Sequence, residues 1–178
     1  VNIGASIDGV GDINHYMRYP SNFDQIYKNL IKLSQAKGNF KVWIAATINV
    51  FNVLHFPEFI EWVLLNKLPR VNDDDWKPVI TPHPLHGPKF YNIRMLPEFA
   101  KNAVREKYEQ YKPRLIEIID NSDFTEERKI SSKKSVVSLL DQYVDYMYAK
   151  DFSSEIPRFW KATRRLDEIR GHRIEDYI

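Results

Sequence analysis

The sequence predicts an α/β protein with about three parallel strands and their helices, followed by an all-helical tail. Strand-like and helix-like segments alternate as far as residue 96, which is typical of parallel strands joined by right-handed helical crossovers. From residue 97 onward the apolar residues recur at helical spacing only. We therefore expect two parts, a strand–helix–strand–helix–strand unit over residues 1–96 and a helical extension over residues 97–178 that packs on it.

The first part contains three predicted strands and two predicted helices. "VNIGASI" and "FKVWIAATINV" have the composition of strands, while "VITPHP" is a weaker strand whose prolines place it at a sheet edge. The first helix covers residues 21–38, where Ser21 or Asn22 can cap the start and Gly38 suits a left-handed exit. The second helix is "FPEFIEWVLLNKL", with Pro57 in its first turn.

The second part is predicted to contain three helices. The first opens at Pro97 and is expected to kink or break before Pro113, because proline removes a helical hydrogen bond. A polar loop, "DNSDFTEERKISSKK", separates it from the amphipathic segment "KSVVSLLDQYVDYMYAK". The last helix, "SSEIPRFWKATRRLDEIRG", is expected to be capped by Ser153 or Ser154 and to end at Gly171.

Composition excludes several classes of function. The 178 residues are 43% hydrophobic and 28% charged, as in an ordinary globular domain, and the net charge of +2 is too small to indicate nucleic-acid binding. No apolar stretch is long enough to span a membrane, and we expect a cytoplasmic protein. The absence of cysteine excludes disulfides, thiolate catalysis and cysteine-held metal clusters within this sequence.

Polar side chains cluster where the predicted strands end. Alternate strand residues point to opposite faces of a sheet, so the apolar set belongs under the helices and the other set forms the second face. Ligands of α/β folds bind at the carboxyl ends of such strands. This pattern favours an open, partial barrel holding a ligand, and a small sheet with one wetted face is the simpler alternative. The polar set comprises Ser6, Asp8, Thr47, Asn49, Thr81 and His83.

The stretch "ASIDGVGDINHYMRYP", residues 5–20, resembles a binding loop that follows a strand. The guanidinium of Arg18 can bind an α-carboxylate with two hydrogen bonds, and the Ser6 hydroxyl can serve the same ligand. Gly9 and Gly11 allow the backbone to approach a ligand closely. The alternative is that the glycines form an ordinary turn and Arg18 is a solvated loop residue.

A family resemblance rests on this stretch. "SIDGVGDINHYMRYPSNFDQIYKNL" resembles the fourth-strand region of radical S-adenosylmethionine enzymes, especially the branch that carries SPASM or twitch extensions. "ATINVFNVLHFPEFIEWV", "HPLHGPKFYNIRMLPEFAK" and "FWKATRRLDEIRGHRIEDY" are similar to later parts of twitch-type members, whereas residues 105–150 match no motif. The first match is carried by Ser6, Asp8, Gly9, Arg18, Phe23 and Asn29.

The resemblance implies a partial (β/α)6 barrel of which this chain supplies the C-terminal half, from the fourth strand onward. It implies that Ser6 and Arg18 hold the amino-acid end of S-adenosylmethionine and that Asn49 lies near the cofactor or substrate. The predicted cofactor-binding residues are Ser6, Asp8, Arg18 and Asn49, and the predicted substrate-binding residues are Thr47, Thr81 and His83.

The implied activity is radical chemistry. In the family, a [4Fe-4S] cluster reduces the sulfonium, and the resulting 5′-deoxyadenosyl radical abstracts a hydrogen atom from the substrate, here a peptide or protein by resemblance. The cluster cysteines would come from an N-terminal barrel half outside this sequence, because this chain has none. We therefore expect no catalytic residue and no metal ligand here, and an inactive isolated chain.

Two other functions compete with this interpretation. The first is a non-catalytic α/β binding or interaction module with the shape of the barrel. The second is a metal-dependent hydrolase, because His83 and His86 are three residues apart and Asp73–Asp75 lie upstream. Imidazole and carboxylate groups are common metal ligands, although a site needs three or four of them in a set geometry.

Overall fold

A computed structural model describes residues 1–66 and 80–177 and shows an α/β fold with one parallel sheet. Its strands, β1 (Asn2–Ser6), β2 (Lys41–Ile48) and β3 (Thr81–Pro84), lie in the order β1-β2-β3. The predicted class, the parallel pairing and the edge position of β3 are confirmed, while the partial barrel stays a prediction. The helices are α1 (Asp12–Met17), α2 (Phe23–Gln35), α3 (Phe56–Leu65), α4 (Glu98–Asp120), α5 (Glu126–Tyr148) and α6 (Ile156–Arg170).

Local sequence signals explain several of the helix ends, although α2 ends at Gln35 and not at the predicted exit Gly38. The Asn22 side chain accepts a hydrogen bond from the Gln25 amide at 2.9 Å, so Asn22 is the cap of α2. Gly171 ends α6 in the left-handed region, as predicted, with a φ of 66°. The prediction for the start of α6 was wrong, because Glu155 occupies the cap position after a short 3-10 turn at Ser153–Glu155.

Three further expectations were wrong. Residues 12–17 form α1 rather than loop. The N-terminal part of α5 occupies much of the predicted polar loop, since the Thr125 hydroxyl caps it by accepting from the Arg128 amide. Helix α4 continues through Pro113, so the expected break is absent, while a kink there stays a prediction. Pro113 and Glu109 are both exposed, so water can reach the Glu109 carbonyl, which lacks a helical donor.

The buried face of the sheet packs against α2, α3, α4 and α5 in one apolar cluster. In β2 the alternate residues Val42, Ile44, Ala46 and Ile48 are all buried, which confirms the predicted parity. The tail belongs to the same cluster, since the ring of Tyr143 in α5 lies 5.3 Å from that of Phe56 in α3.

The other face of the sheet is largely uncovered. The strand register places Ser6 beside Ala45 and Ala45 beside Thr81, and it pairs Thr47 with His83. Gly4 pairs with Trp43, and a Cβ atom on Gly4 would lie 2.9 Å from the indole ring, so the glycine leaves room for that ring. The predicted polar residues within the strands therefore share one open face, whereas Asp8 and Asn49, beyond the strand ends, are buried. The side chains on this face are exposed at Asn2, Ser6, Lys41 and His83 and half-buried at Trp43, Ala45, Thr47 and Thr81.

A second, smaller apolar cluster lies beyond the carboxyl ends of the strands. Tyr16 of α1, Phe51, Met95 and Phe159 of α6 form its buried centre. The cluster therefore brings α1 and α6, which are far apart in sequence, to the end of the sheet where the sequence predicts a ligand site.

Candidate functional site

A cavity of about 330 Å³ opens at the carboxyl ends of β1 and β2. Four of the predicted site residues line it, two following β1 and two at the end of β2. α1 and α6 complete its wall. The lining residues are Asp8, Tyr16, Met17, Arg18, Thr47, Asn49, Phe51, Tyr91, Leu166 and Arg170.

An ion pair between Asp8 and Arg18 forms the polar centre of the cavity. The Arg18 Nε atom lies 2.7 Å from Asp8 Oδ2, and the other carboxylate oxygen accepts from the Thr47 amide at 2.7 Å. The Asp8 side chain is 6% exposed and that of Arg18 is 33% exposed. Among the described residues, the two terminal nitrogens of Arg18 donate no hydrogen bond. The carboxylate therefore contacts the guanidinium at Nε and leaves the fork formed by its two terminal nitrogens available to a ligand.

A buried network of asparagines holds the ends of the two strands together. The Asn52 side-chain nitrogen donates to the carbonyls of Asp8 at 2.7 Å and Thr47 at 2.9 Å. Its oxygen accepts from the Asn49 amide at 2.8 Å, and the Asn14 oxygen accepts from the Asp8 amide at 2.9 Å. These bonds set the position of Asp8, and thereby the position of Arg18.

The C-terminal helix contributes two residues to the cavity that the sequence did not predict. Leu166 and Arg170 of α6 line it, and Arg170 Nη1 donates to the Tyr16 carbonyl at 2.8 Å. The spacing of Asp167 and Arg170 favours an ion pair along the helix. Asp167 instead accepts from the Tyr16 hydroxyl at 2.9 Å and from the Ile174 amide at 3.0 Å. In the sequence, only the apolar spacing of the last helix, to which Leu166 belongs, indicated that this helix packs on the rest of the chain.

The remaining predicted site residues lie outside this cavity. Ser6 and His83 are exposed on the open face, and Thr81 lines a separate cavity of about 300 Å³ between β3 and α5. His86 Nδ1 lies 3.2 Å from the Tyr146 hydroxyl. Asp73–Asp75 fall outside the described residues, and residues 1–66 and 80–177 contain no group of three or more His, Asp or Glu side chains arranged to hold a metal ion.

Comparison of the chain with protein-family models, with curated proteins and with solved structures finds no match. Within the described parts of the chain, the helices are all too short or too polar to cross a membrane. The function is therefore inferred from the cavity and from the residues around it.

The tyrosines around this cavity and in the main core predict an alkaline limit to stability. Burial, reinforced by the hydrogen bond to Asp167, raises the pKa of Tyr16, and burial raises the pKa of Tyr91, Tyr108 and Tyr143. Because an unfolded tyrosine has a pKa of about 10, the unfolded state releases these protons first. The contribution of these tyrosines to the free energy of unfolding is complete below pH ~10 and is lost as the pH rises further.

We expect phenolate absorbance to show two phases in an alkaline titration. Exposed tyrosines ionise first, and the buried ones ionise only as the circular dichroism signal of the fold is lost. Ionisation of all ten tyrosines around pH 10 with unchanged circular dichroism would contradict this prediction.

Proposed function

We propose that this chain is the cofactor-binding C-terminal half of a radical S-adenosylmethionine enzyme of the twitch type. The observation that carries the proposal is the cavity at the carboxyl ends of parallel strands, where Asp8 orients Arg18 with its outer fork free. The open polar face of the sheet supports it, because that face would form part of a barrel's inner wall.

Arg18 is proposed to bind the α-carboxylate of S-adenosylmethionine. A guanidinium binds a carboxylate through two parallel hydrogen bonds, and the contact with Asp8 restricts its orientation before the ligand arrives. Asp8 also provides a carboxylate for the α-ammonium group of the same ligand. The Asn49 side-chain nitrogen donates to no described residue and is available as a second donor at the cavity wall.

The aromatic wall suits the adenine ring of the cofactor. The ring of Phe51 lies 5.1 Å from that of Tyr91 and 5.4 Å from that of Tyr16, measured between centroids. Tyr16 and Phe51 are 1% and 7% exposed, so half-buried Tyr91 offers most of the apolar ring surface on which a purine can stack. The cavity volume, about 330 Å³, is at the lower end of the range for small-molecule sites.

Further groups around this cavity would complete the proposed site. Ser6 lies on the open face, two residues before Asp8, and with Thr81 and His83 it would face the cofactor and a peptide or protein substrate. The chain has no cysteine, so its residues do not fit a [4Fe-4S] cluster, and the proposal assigns the cluster ligands to an N-terminal barrel half. When bound, the cofactor supplies the radical, while these residues position it and exclude water.

Calorimetric titration of S-adenosylmethionine into the wild type and Arg18→Lys tests the proposal. Lysine preserves a cation opposite Asp8 but lacks the planar fork, so we expect affinity to fall by about tenfold or more. Arg165→Lys is the matched control, because Arg165 is exposed and pairs with Glu168 on the surface of α6. Thermal unfolding of each variant verifies that the fold is retained.

A second ligand separates the role of Arg18 from general damage to the cavity. 5′-Methylthioadenosine contains the adenosine part without the amino-acid group, so Arg18→Lys should leave its affinity unchanged. Equal affinity of the wild type and Arg18→Lys for S-adenosylmethionine, or equal weakening for both ligands, would remove Arg18 from the proposed carboxylate site.

A further inference from the structure

α6 brings a second guanidinium, that of Arg170, to the cavity that contains Arg18. Arg170 is half-buried and lines the cavity together with Leu166, one helical turn before it. The other cations of α6 are exposed and do not line the cavity: Arg158, Lys161, Arg164 and Arg165. Arg170 is therefore placed differently from its neighbours on the same helix.

The charge of Arg170 has no counter-ion among the described residues. Nη1 donates to the Tyr16 carbonyl, and the guanidinium carbon lies 5.3 Å from the centre of the Tyr19 ring. Asp167 is buried, and its two oxygens accept from the Tyr16 hydroxyl and the Ile174 amide. Burial raises the pKa of Tyr16 and Tyr91, and the Arg170 charge opposes that rise at both hydroxyls, so its field reaches the cavity.

The charges that line the cavity leave one cation uncompensated. Asp8 neutralises Arg18 through a contact of 2.7 Å, and Arg170 adds a further positive charge. A half-buried guanidinium without a carboxylate favours binding of an oxyanion, since charge-assisted hydrogen bonds strengthen where water is partly excluded.

We propose that the accessible part of half-buried Arg170 binds a carboxylate of the substrate, so that an acidic peptide binds at the edge of the cavity, beside the cofactor. This assignment rests on the proposed function, in which Arg18 is occupied by the carboxylate of S-adenosylmethionine. The two guanidiniums then have separate ligands, and the C-terminal helix selects the substrate.

The test measures binding of N-acetylglutamate α-amide, which has a free side-chain carboxylate, to the 178-residue chain saturated with S-adenosylmethionine. Its neutral counterpart is N-acetylglutamine amide, and inorganic phosphate is the third probe. We expect the wild type to bind the glutamate probe at least about tenfold more tightly than Arg170→Gln does, and to discriminate similarly against the glutamine probe. Arg164→Gln, on the same helix, should bind as the wild type does.

Further variants distinguish the loss of the Arg170 charge from the loss of the fold. Arg170→Lys retains a cation and should recover part of the affinity, while amide NMR spectra of all variants report whether the fold persists. Affinity for S-adenosylmethionine should fall much less in Arg170→Gln than in Arg18→Lys, whereas affinity for the glutamate probe should fall in Arg170→Gln, which separates this inference from the proposed function. Equal affinity of the wild type and Arg170→Gln for the glutamate probe, no binding to the wild type, or Arg170-dependent binding of phosphate alone would overturn it.

Discussion

Replacing Asn52 by aspartate is expected to lower the free energy of unfolding by about 3–5 kcal/mol. The substitution preserves the size of the side chain but exchanges its donor nitrogen for an oxygen. That oxygen would face the carbonyls of Asp8 and Thr47, which accept from Asn52 at 2.7 and 2.9 Å. Asn52 is only 2% exposed, so the new charge would be buried with the Asn49 amide as its one remaining donor.

Denaturant unfolding at neutral pH measures this loss, and its pH dependence identifies the cause. Burial raises the pKa of the introduced carboxyl in the folded state, and protonation converts it into a donor, so the deficit relative to the wild type should shrink as the pH falls from neutral and be largely gone at pH ~4. Asn102→Asp is the matched control, since Asn102 uses only its oxygen, which accepts from Arg105 and Tyr148. A deficit of the same size in both variants, or one independent of pH, would contradict the assigned role of Asn52.

This residue matters because the proposed cofactor site depends on how two strands end. Asp8 follows β1 and Thr47 lies at the end of β2, and the Asn52 side chain connects their carbonyls. Asp8 in turn holds Arg18. A shift of the Asn52 side chain would displace Asp8, and Asp8 would in turn displace the Arg18 guanidinium. Stability and ligand affinity should therefore fall together.

The fold class could be predicted because it depends on patterns that short segments contain. In β2 the alternation from Val42 to Ile48 predicts which face is buried, and the structure confirms it. Apolar spacing predicted α2 and α3 in the same way. Helix α1 was missed because six residues rich in polar side chains show no helical periodicity, and it forms where Tyr16 inserts into the second apolar cluster.

The candidate site could be predicted only in part. Asp8, Arg18, Thr47 and Asn49 line the cavity because strand parity and the ends of parallel strands are readable from sequence. The contribution of Arg170 was not readable, because it depends on α6 packing against α1, more than 150 positions away in the chain. Pairing along one helix was the nearest available signal, and it misassigned Asp167, whose partner is Tyr16.

The tail also takes part in the main core, and this leads to the second large effect. Leu140→Ala is expected to lower the free energy of unfolding by about 2–5 kcal/mol. Leu140 of α5 is 0% exposed, so its truncation leaves a cavity in the main core. Leu140 belongs to the same apolar cluster as Ile44 of the sheet and Phe56 of α3. We therefore expect one cooperative transition in which helix and sheet signals are lost together.

Thermal unfolding followed by far-ultraviolet circular dichroism and by tryptophan fluorescence tests both parts of this prediction. In a background where Trp76 and Trp160 are replaced by phenylalanine, Trp43 and Trp62 report on the sheet and on α3, whereas the helical signal is dominated by α4 and α5. Ile130→Ala, in the same helix but 65% exposed, should change stability by less than about 0.5 kcal/mol. Loss of the helical signal in Leu140→Ala before the tryptophan signal changes would show instead that the tail unfolds separately from the sheet.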